Sequence, residues 1–264
     1  HKACRLYNES SDRQTVLDLR ACISEYQHRA LSNMASIPFE FDAKPINTRI
    51  SQLFEELSLR ETIVQFGLVS MIHRKEDVKK QILDNQHKFL ATSLFTNKKL
   101  NDEGHTIEVI PPLDLQNPEG DPETLFKHMV KYVSESRNLD ETICLQFAYG
   151  FVKNAGQVSL DDLSFLTVIP SGRNEIIKFG LYWGLSGKLY AAMHILLPQM
   201  EHIIRNLVAL CGDTVSFIKD GCEEYKTLSQ LFKSDKLHEC YDEDIIFTFQ
   251  SIMDERAGAN LRNI

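Results

Sequence analysis

The chain has 264 residues, 43% of them hydrophobic and 25% charged. That is enough apolar material for one large domain or two modest ones, and it excludes a low-complexity or disordered chain. The net charge of -8 and pI of about 5.6 argue against a tight, sequence-blind nucleic-acid binder, which would be basic overall. They leave room for an enzyme with a small local basic site.

Apolar residues recur mostly at helical spacing. In chain order, residues 12–31 predict a first helix with Asp12 as its cap. Residues 47–60 and 61–72 predict a second and a third. Residues 75–95 predict an amphipathic helix whose first half is strongly charged. Residues 97–121 break the pattern with three of the eight prolines. They read as a loop or linker in which TIEVI alternates like a short edge strand.

Helices resume at 122–136, where Pro122 takes a tolerated first-turn position, and at 138–154. Residues 155–172 look irregular at both ends. Then come 172–186, a turn at Gly187, and a long helix over 188–211. Pro198 should kink that helix, and Gly212 is its C-cap signal. A small hairpin around TVSFIKDGCEEY and a short helix TLSQLF follow. Residues 242–257 predict a last helix capped by Asp242, stopped or bent by Gly258. Asn260 reads as the cap of a further helix starting at Leu261. The fold expected is all-α, a multi-helix bundle with at most a small β-hairpin. The expected division is 1–156, an N-terminal helical region, and 157–264, a C-terminal helical domain.

No run reaches the roughly 18 apolar residues of a membrane span, and no secretory signal opens the chain. The expectation is a cytoplasmic protein without a membrane partner. Six cysteines (Cys4, Cys22, Cys144, Cys211, Cys222, Cys240) include no C-x2-C pair and no zinc spacing. They read as reduced, buried thiols, with Cys211–Cys222 the one bridge to weigh. No metal and no cofactor are expected.

Two short elements carry chemistry. The long helix contains Pro198, Gln199, Glu201 and Arg205, spaced as Pro-Gln-x-Glu-x-x-x-Arg. The chain closes on GANLRNI, with Arg262 and Asn263 next to its end. Over residues 172–264 this combination resembles an uncharacterised HEPN-like (higher eukaryotes and prokaryotes nucleotide-binding) family. The hallmark of that family is Arg-Asn, three residues, then His-Gly. Arg262 and Asn263 match the first half; the matching histidine would fall three residues past Ile264, so the resemblance expects this chain to stop short of it. The resemblance implies a metal-independent endoribonuclease, of a toxin or defence type, working as a homodimer on RNA. Its catalytic residues would be Arg262 and Asn263, with Glu201 and Arg205 supporting the cleft.

The chemistry suits those residue types. A histidine titrates near neutrality and can take the ribose 2′-OH proton or protonate the leaving oxygen. An arginine offsets the charge that builds on the phosphoryl oxygens. On one helix, Arg262 and the motif histidine would stand five residues apart, about 140° around the axis, so two helices paired across a dimer would group them better.

Plainer readings stand beside these. Arg262 also fits a surface arginine. Glu201 and Arg205 fit an ordinary i,i+4 ion pair. His194 and His202 fit structural histidines. Phe179, Tyr182 and Trp183 fit core rather than base-stacking positions. The cluster at 73–80 fits a solvated helix face, and the acidic start at 242 fits charge complementarity at a helix N-terminus. The second function to weigh is a non-catalytic HEPN-like dimerisation or partner-binding module.

Overall fold

A computed structural model describes residues 13–32, 42–69, 72–86, 95–101, 103–114, 116–136, 142–163 and 172–261. The protein is mostly helical, with two small antiparallel two-stranded hairpins among the described residues. No helix among them is long and apolar enough to cross a membrane. The chain groups into two compact units. One comprises residues 1–41 and 86–125, the other 42–85 and 126–264. The boundary expected at 156/157 therefore falls inside the second unit.

The first unit holds α1 (Arg13–Ser32) and a hairpin of β1 (Asn97–Leu100) and β2 (Thr106–Ile110). Here the sequence reading needs correction, because most of the stretch read as loop before Ile110 is paired strand. Lys98 stands opposite Val109 and Lys99 opposite Glu108. Asn101 closes the turn: its side chain accepts from the His105 amide at 2.7 Å and its carbonyl from Gly104 at 2.9 Å. Asp12, the cap expected for α1, lies outside the described residues.

The second unit begins with α2 (Lys44–Leu53), α3 (Leu59–Val69) and α4 (Lys75–Gln86). The break between the first two falls at 54–58, not at 60/61 as the periodicity suggested. Ser58 and Glu61 fix it by capping each other. The Glu61 carboxylate accepts from the Ser58 amide at 2.9 Å and hydroxyl at 2.5 Å, and the Ser58 oxygen faces the Glu61 amide at 3.4 Å. Ser159 and Asp162 repeat the device ahead of a single 3₁₀ turn, Asp161–Leu163.

Next come α5 (Pro122–Ser136), with the bounds expected, and α6 (Thr142–Ala155). Phe54 of α2 stacks on Phe151 of α6 at 5.1 Å, and Ile50, Val69 and Ala148 complete that core. Ile63, Val152, Val158 and Leu163 form a second cluster, reached by Leu181 and Leu185 of α7 (Asn174–Leu185).

A tight turn joins α7 to α8 (Leu189–Leu210). Gly187 takes φ +83°, and the Lys188 and Gly187 amides return to the carbonyls of Trp183 and Gly184 at 2.8 and 3.0 Å. The two helices approach closely at Gly180, where an added Cβ would meet Leu196 at 2.7 Å. α8 runs as one helix through Pro198. It ends as expected, with Gly212 at φ +81° and the Asp213 amide bonded to the Val208 carbonyl at 3.2 Å.

Beyond α8 lie β3 (Ser216–Lys219) and β4 (Cys222–Tyr225), then α9 (Leu228–Leu231), α10 (Asp235–Cys240) and α11 (Glu243–Met253). The helix α10 was not anticipated; at six residues it is too short to show a period. The last helix stops at Met253 rather than 257. The chain turns back there, bringing Gly258 against Ser251, so close that a Cβ would sit 1.9 Å from the Ser251 carbonyl oxygen. Asn260 does not have the extended backbone of an N-cap; its φ is +52°. Ile204, Val208, Leu228, Leu231, Leu237 and Ile246 form the core of this region.

Candidate functional site

The face of α8 that carries Pro198 and Glu201 lines a cleft of about 340 Å³. His194, Leu197, Pro198 and Glu201 recur at 194, 197, 198 and 201, the spacing of one helical stripe. Leu228, Met253 and Leu261 close the opposite side. Among the described residues, the polar side chains in the lining are His194 and Glu201. Leu261 is the residue before Arg262 in the chain and also packs on the core shared by α8, α9, α10 and α11. Arg262 and Asn263, the two catalytic residues expected, lie outside the described residues.

Arg205 stands behind Glu201, one turn further along α8. Its Nη2 donates to Glu201 Oε1 at 2.8 Å and reaches the Lys226 carbonyl at 3.4 Å. The guanidinium lies 4.9 Å from the centre of the Tyr225 ring. Nη1 is 3.5 Å from His202 Nδ1, and the buried Nε has no hydrogen-bond partner among the described residues. The side chain is 15% exposed against 27% for Glu201. This is more than a surface i,i+4 pair. Arg205 is clasped between its own helix and the β3–β4 hairpin, and it holds the Glu201 carboxylate at the cleft. Both residues expected to support the cleft are thus together.

Gln199 points elsewhere. It is buried and accepts from Arg173 Nη1 at 3.2 Å, tying the start of α7 to α8. His202 sits between the two arginines. Burial first, then Arg173 and Arg205, push its pKa below the usual histidine value, with Glu201 opposing. It is therefore neutral at neutral pH and structural in character, as expected. His194 differs: it is exposed, packs edge-on against Tyr190 at 4.4 Å, and faces the cleft.

Several expectations about side chains need correction. Phe179 is 43% exposed and Trp183 half-buried, so these two form a partly exposed edge-to-face pair rather than core, while Tyr182 packs against the cluster of Ile63, Val152, Val158 and Leu163 as expected. Cys22, Cys222 and Cys240 are exposed, not buried, and the described cysteines are free thiols. Cys211 has Cys240, not Cys222, as its thiol neighbour.

The charged stretches at 73–80 and 242–246 are not merely solvated. Lys75 Nζ pairs with Glu243 at 2.9 Å, and the Lys75 amide donates to Asp244 at 2.7 Å. The His73 amide donates to Thr248 Oγ1 at 3.0 Å. The acids of α11 therefore cap α4 across space. Asp242 still caps its own helix, accepting from the Asp244 amide at 2.8 Å.

No protein-family model matches the chain, and comparison with curated proteins and with solved structures finds no match.

Proposed function

We propose that the protein is a metal-independent endoribonuclease of the HEPN type, with the α8 cleft as its active site. One observation carries the proposal. Glu201, from the upstream element, and Leu261, which precedes Arg262, line one cleft although 60 residues separate them in the chain. The upstream element and the residue that precedes the Arg-Asn pair thus share one concave surface.

Arg262 supplies the positive charge in this reading. Arg205 is already committed to Glu201 and to the hairpin, so it serves as the support. The ribose 2′-oxygen loses its proton to a histidine base and attacks the adjacent phosphorus. The 5′-oxygen leaves and takes up a proton. The products are a 2′,3′-cyclic phosphate and a 5′-hydroxyl. Arg262 offsets the charge of the pentavalent transition state, and Asn263 orients the reacting groups. DNA lacks the nucleophile and stays intact. In the hallmark of the family, the base is the histidine of the His-Gly half. The enzyme works as a homodimer, which would bring two Arg and two His into one cleft.

The test is cleavage of varied single-stranded and structured RNAs by the full-length gene product in a metal chelator, beside Arg262→Ala. Cleavage that the substitution removes supports the proposal. Cleavage that it leaves intact sinks it.

A second reading is a non-catalytic dimerisation or partner-binding module. Its support is an apolar groove of about 610 Å³ whose lining includes Phe66, Leu145, Leu181, Leu196 and Met200, beside Leu189 and Tyr190, which are 63% and 78% exposed. A folded dimer that cuts no RNA would favour it.

A further inference from the structure

α8 presents two proton-handling side chains to the cleft, and the fold treats them differently. Glu201 is clamped by Arg205, which donates to it at 2.8 Å. His194 is exposed, and among the described residues its ring meets only the edge of Tyr190, at 4.4 Å, with no hydrogen bond or ion pair. Other described histidines are engaged. His105 pairs with Glu103 at 3.2 Å, His202 Nδ1 lies 3.5 Å from Arg205 Nη1, and His238 bridges Glu243 and the Phe232 carbonyl. Both ring nitrogens of His194 are thus left for a ligand.

Its position gives that freedom a use. His194 and Glu201 are seven residues apart, close to two full turns, so they share one face of α8 about 10 Å apart along the axis. Tyr190, one turn earlier, walls the imidazole on one side. The cleft measures about 340 Å³, near the small end of ligand sites. Side chains that line so small a space can touch the same bound group. Leu261, one residue before Arg262, is in that lining with His194.

Cleavage by 2′-hydroxyl attack needs two proton transfers. One removes the 2′-hydroxyl proton, and the family hallmark gives that step to its own histidine. The other protonates the departing 5′-oxygen, which is a poor leaving group as an alkoxide. Imidazole is the side chain best matched to that task near neutral pH.

We propose that His194 is the general acid of the α8 cleft, the residue that protonates the 5′-oxygen of the leaving nucleotide. The proposal rests on the nuclease reading of the cleft. As the 2′-oxygen bonds to phosphorus and the bond from phosphorus to the 5′-oxygen breaks, the His194 imidazolium gives its proton to that oxygen. The neutral ring then takes a proton back from water. Glu201, held by Arg205, stays out of the transfer.

The test gives the full-length gene product two oligodeoxynucleotides, each with one ribonucleotide, in chelator. The first has the natural 5′-oxygen as leaving atom; the second has a bridging sulfur there. A thiol has a pKa of about 8.5, so its thiolate leaves without a proton from the protein. His194→Gln should slow cutting of the oxygen substrate by about 10²–10⁴-fold. It should leave the rate on the sulfur substrate and the melting midpoint close to native. Equal slowing of both substrates would show that His194 holds the substrate rather than protonates it, and would overturn the proposal. An unslowed oxygen substrate would overturn it too, with the nuclease reading intact as long as Arg262→Ala abolishes both cuts. If the native protein cuts neither substrate, the nuclease reading falls and this proposal with it. Should His194→Gln fail to fold, His194→Asn gives the same comparison.

Discussion

Replacing Arg205 by alanine tests whether the support behind the cleft is structural or ornamental. The arginine has a charge-assisted bond to Glu201 at 2.8 Å and lies 4.9 Å above the Tyr225 ring. A hydrogen bond to a charged group contributes about 1.5–3 kcal/mol. A partly desolvated cation over an aromatic ring contributes about 0.5–1 kcal/mol. Against these stands the buried Nε without a partner, whose removal returns about 1 kcal/mol. Glu201 is 27% exposed and can be partly rehydrated. The expected loss is about 1–3 kcal/mol, or roughly 2–12 °C in melting midpoint for a chain of this size.

Urea denaturation of the native chain, Arg205→Ala, Glu201→Gln and the double variant closes a thermodynamic cycle. The coupling should be about 1–2 kcal/mol, above the roughly 0.3–0.5 kcal/mol of an exposed i,i+4 pair. A coupling at or below that surface value would show that Arg205 does not hold Glu201, and the argument for a built cleft would fall with it.

His202 makes stability fall in acid. Its folded-state pKa is below the ordinary value of 6.5, so the unfolded chain binds the proton first. Stability is full above pH about 6.5 and drops as pH falls from there toward the folded value; His202→Gln should flatten that part of a pH–stability curve. Gly258→Ala puts a Cβ 1.9 Å from the Ser251 carbonyl oxygen and 2.9 Å from Val130. Because backbone must move, the cost should exceed about 3 kcal/mol, and a midpoint within 2 °C of native, under about 1 kcal/mol, would refute that close approach. Asp213→Ala removes the acceptor of Ser234 and Thr214 and the partner of Lys226 at 3.6 Å. It should cost about 1–3 kcal/mol and expose the amides of 235–240 to faster hydrogen exchange before the rest of the second unit.

The long helices were legible because their signals are local. α5 and α8 carry an apolar stripe, with a proline at the start of α5 and a glycine just past the end of α8. The α2–α3 break was legible too, but it is written in the Ser58-x-x-Glu61 box rather than in periodicity, which runs on through it. Thr227-x-x-Gln230 marks the start of α9 by the same rule. The β1–β2 hairpin was read only in part, through the alternation of TIEVI, because its strands are only four and five residues long. The resemblance singled out Glu201 and Arg205, and the structure joins them. What no local pattern could give was the company Arg205 keeps: Tyr225 and Lys226, 20 and 21 residues further along the chain, are set against its guanidinium by tertiary packing. The capping of α4 by Asp244 across 169 positions is the extreme case.

The most direct test of the nuclease proposal is the chemistry of the cut. The full-length gene product would be given an oligodeoxynucleotide carrying one ribonucleotide, in chelator, and the ends mapped by mass. The account predicts a single cut 3′ to the ribonucleotide, leaving a 2′,3′-cyclic phosphate and a 5′-hydroxyl, and no cut with Arg262→Ala. Cleavage of the all-deoxy control, or a 5′-phosphate product, would contradict 2′-hydroxyl attack at this cleft.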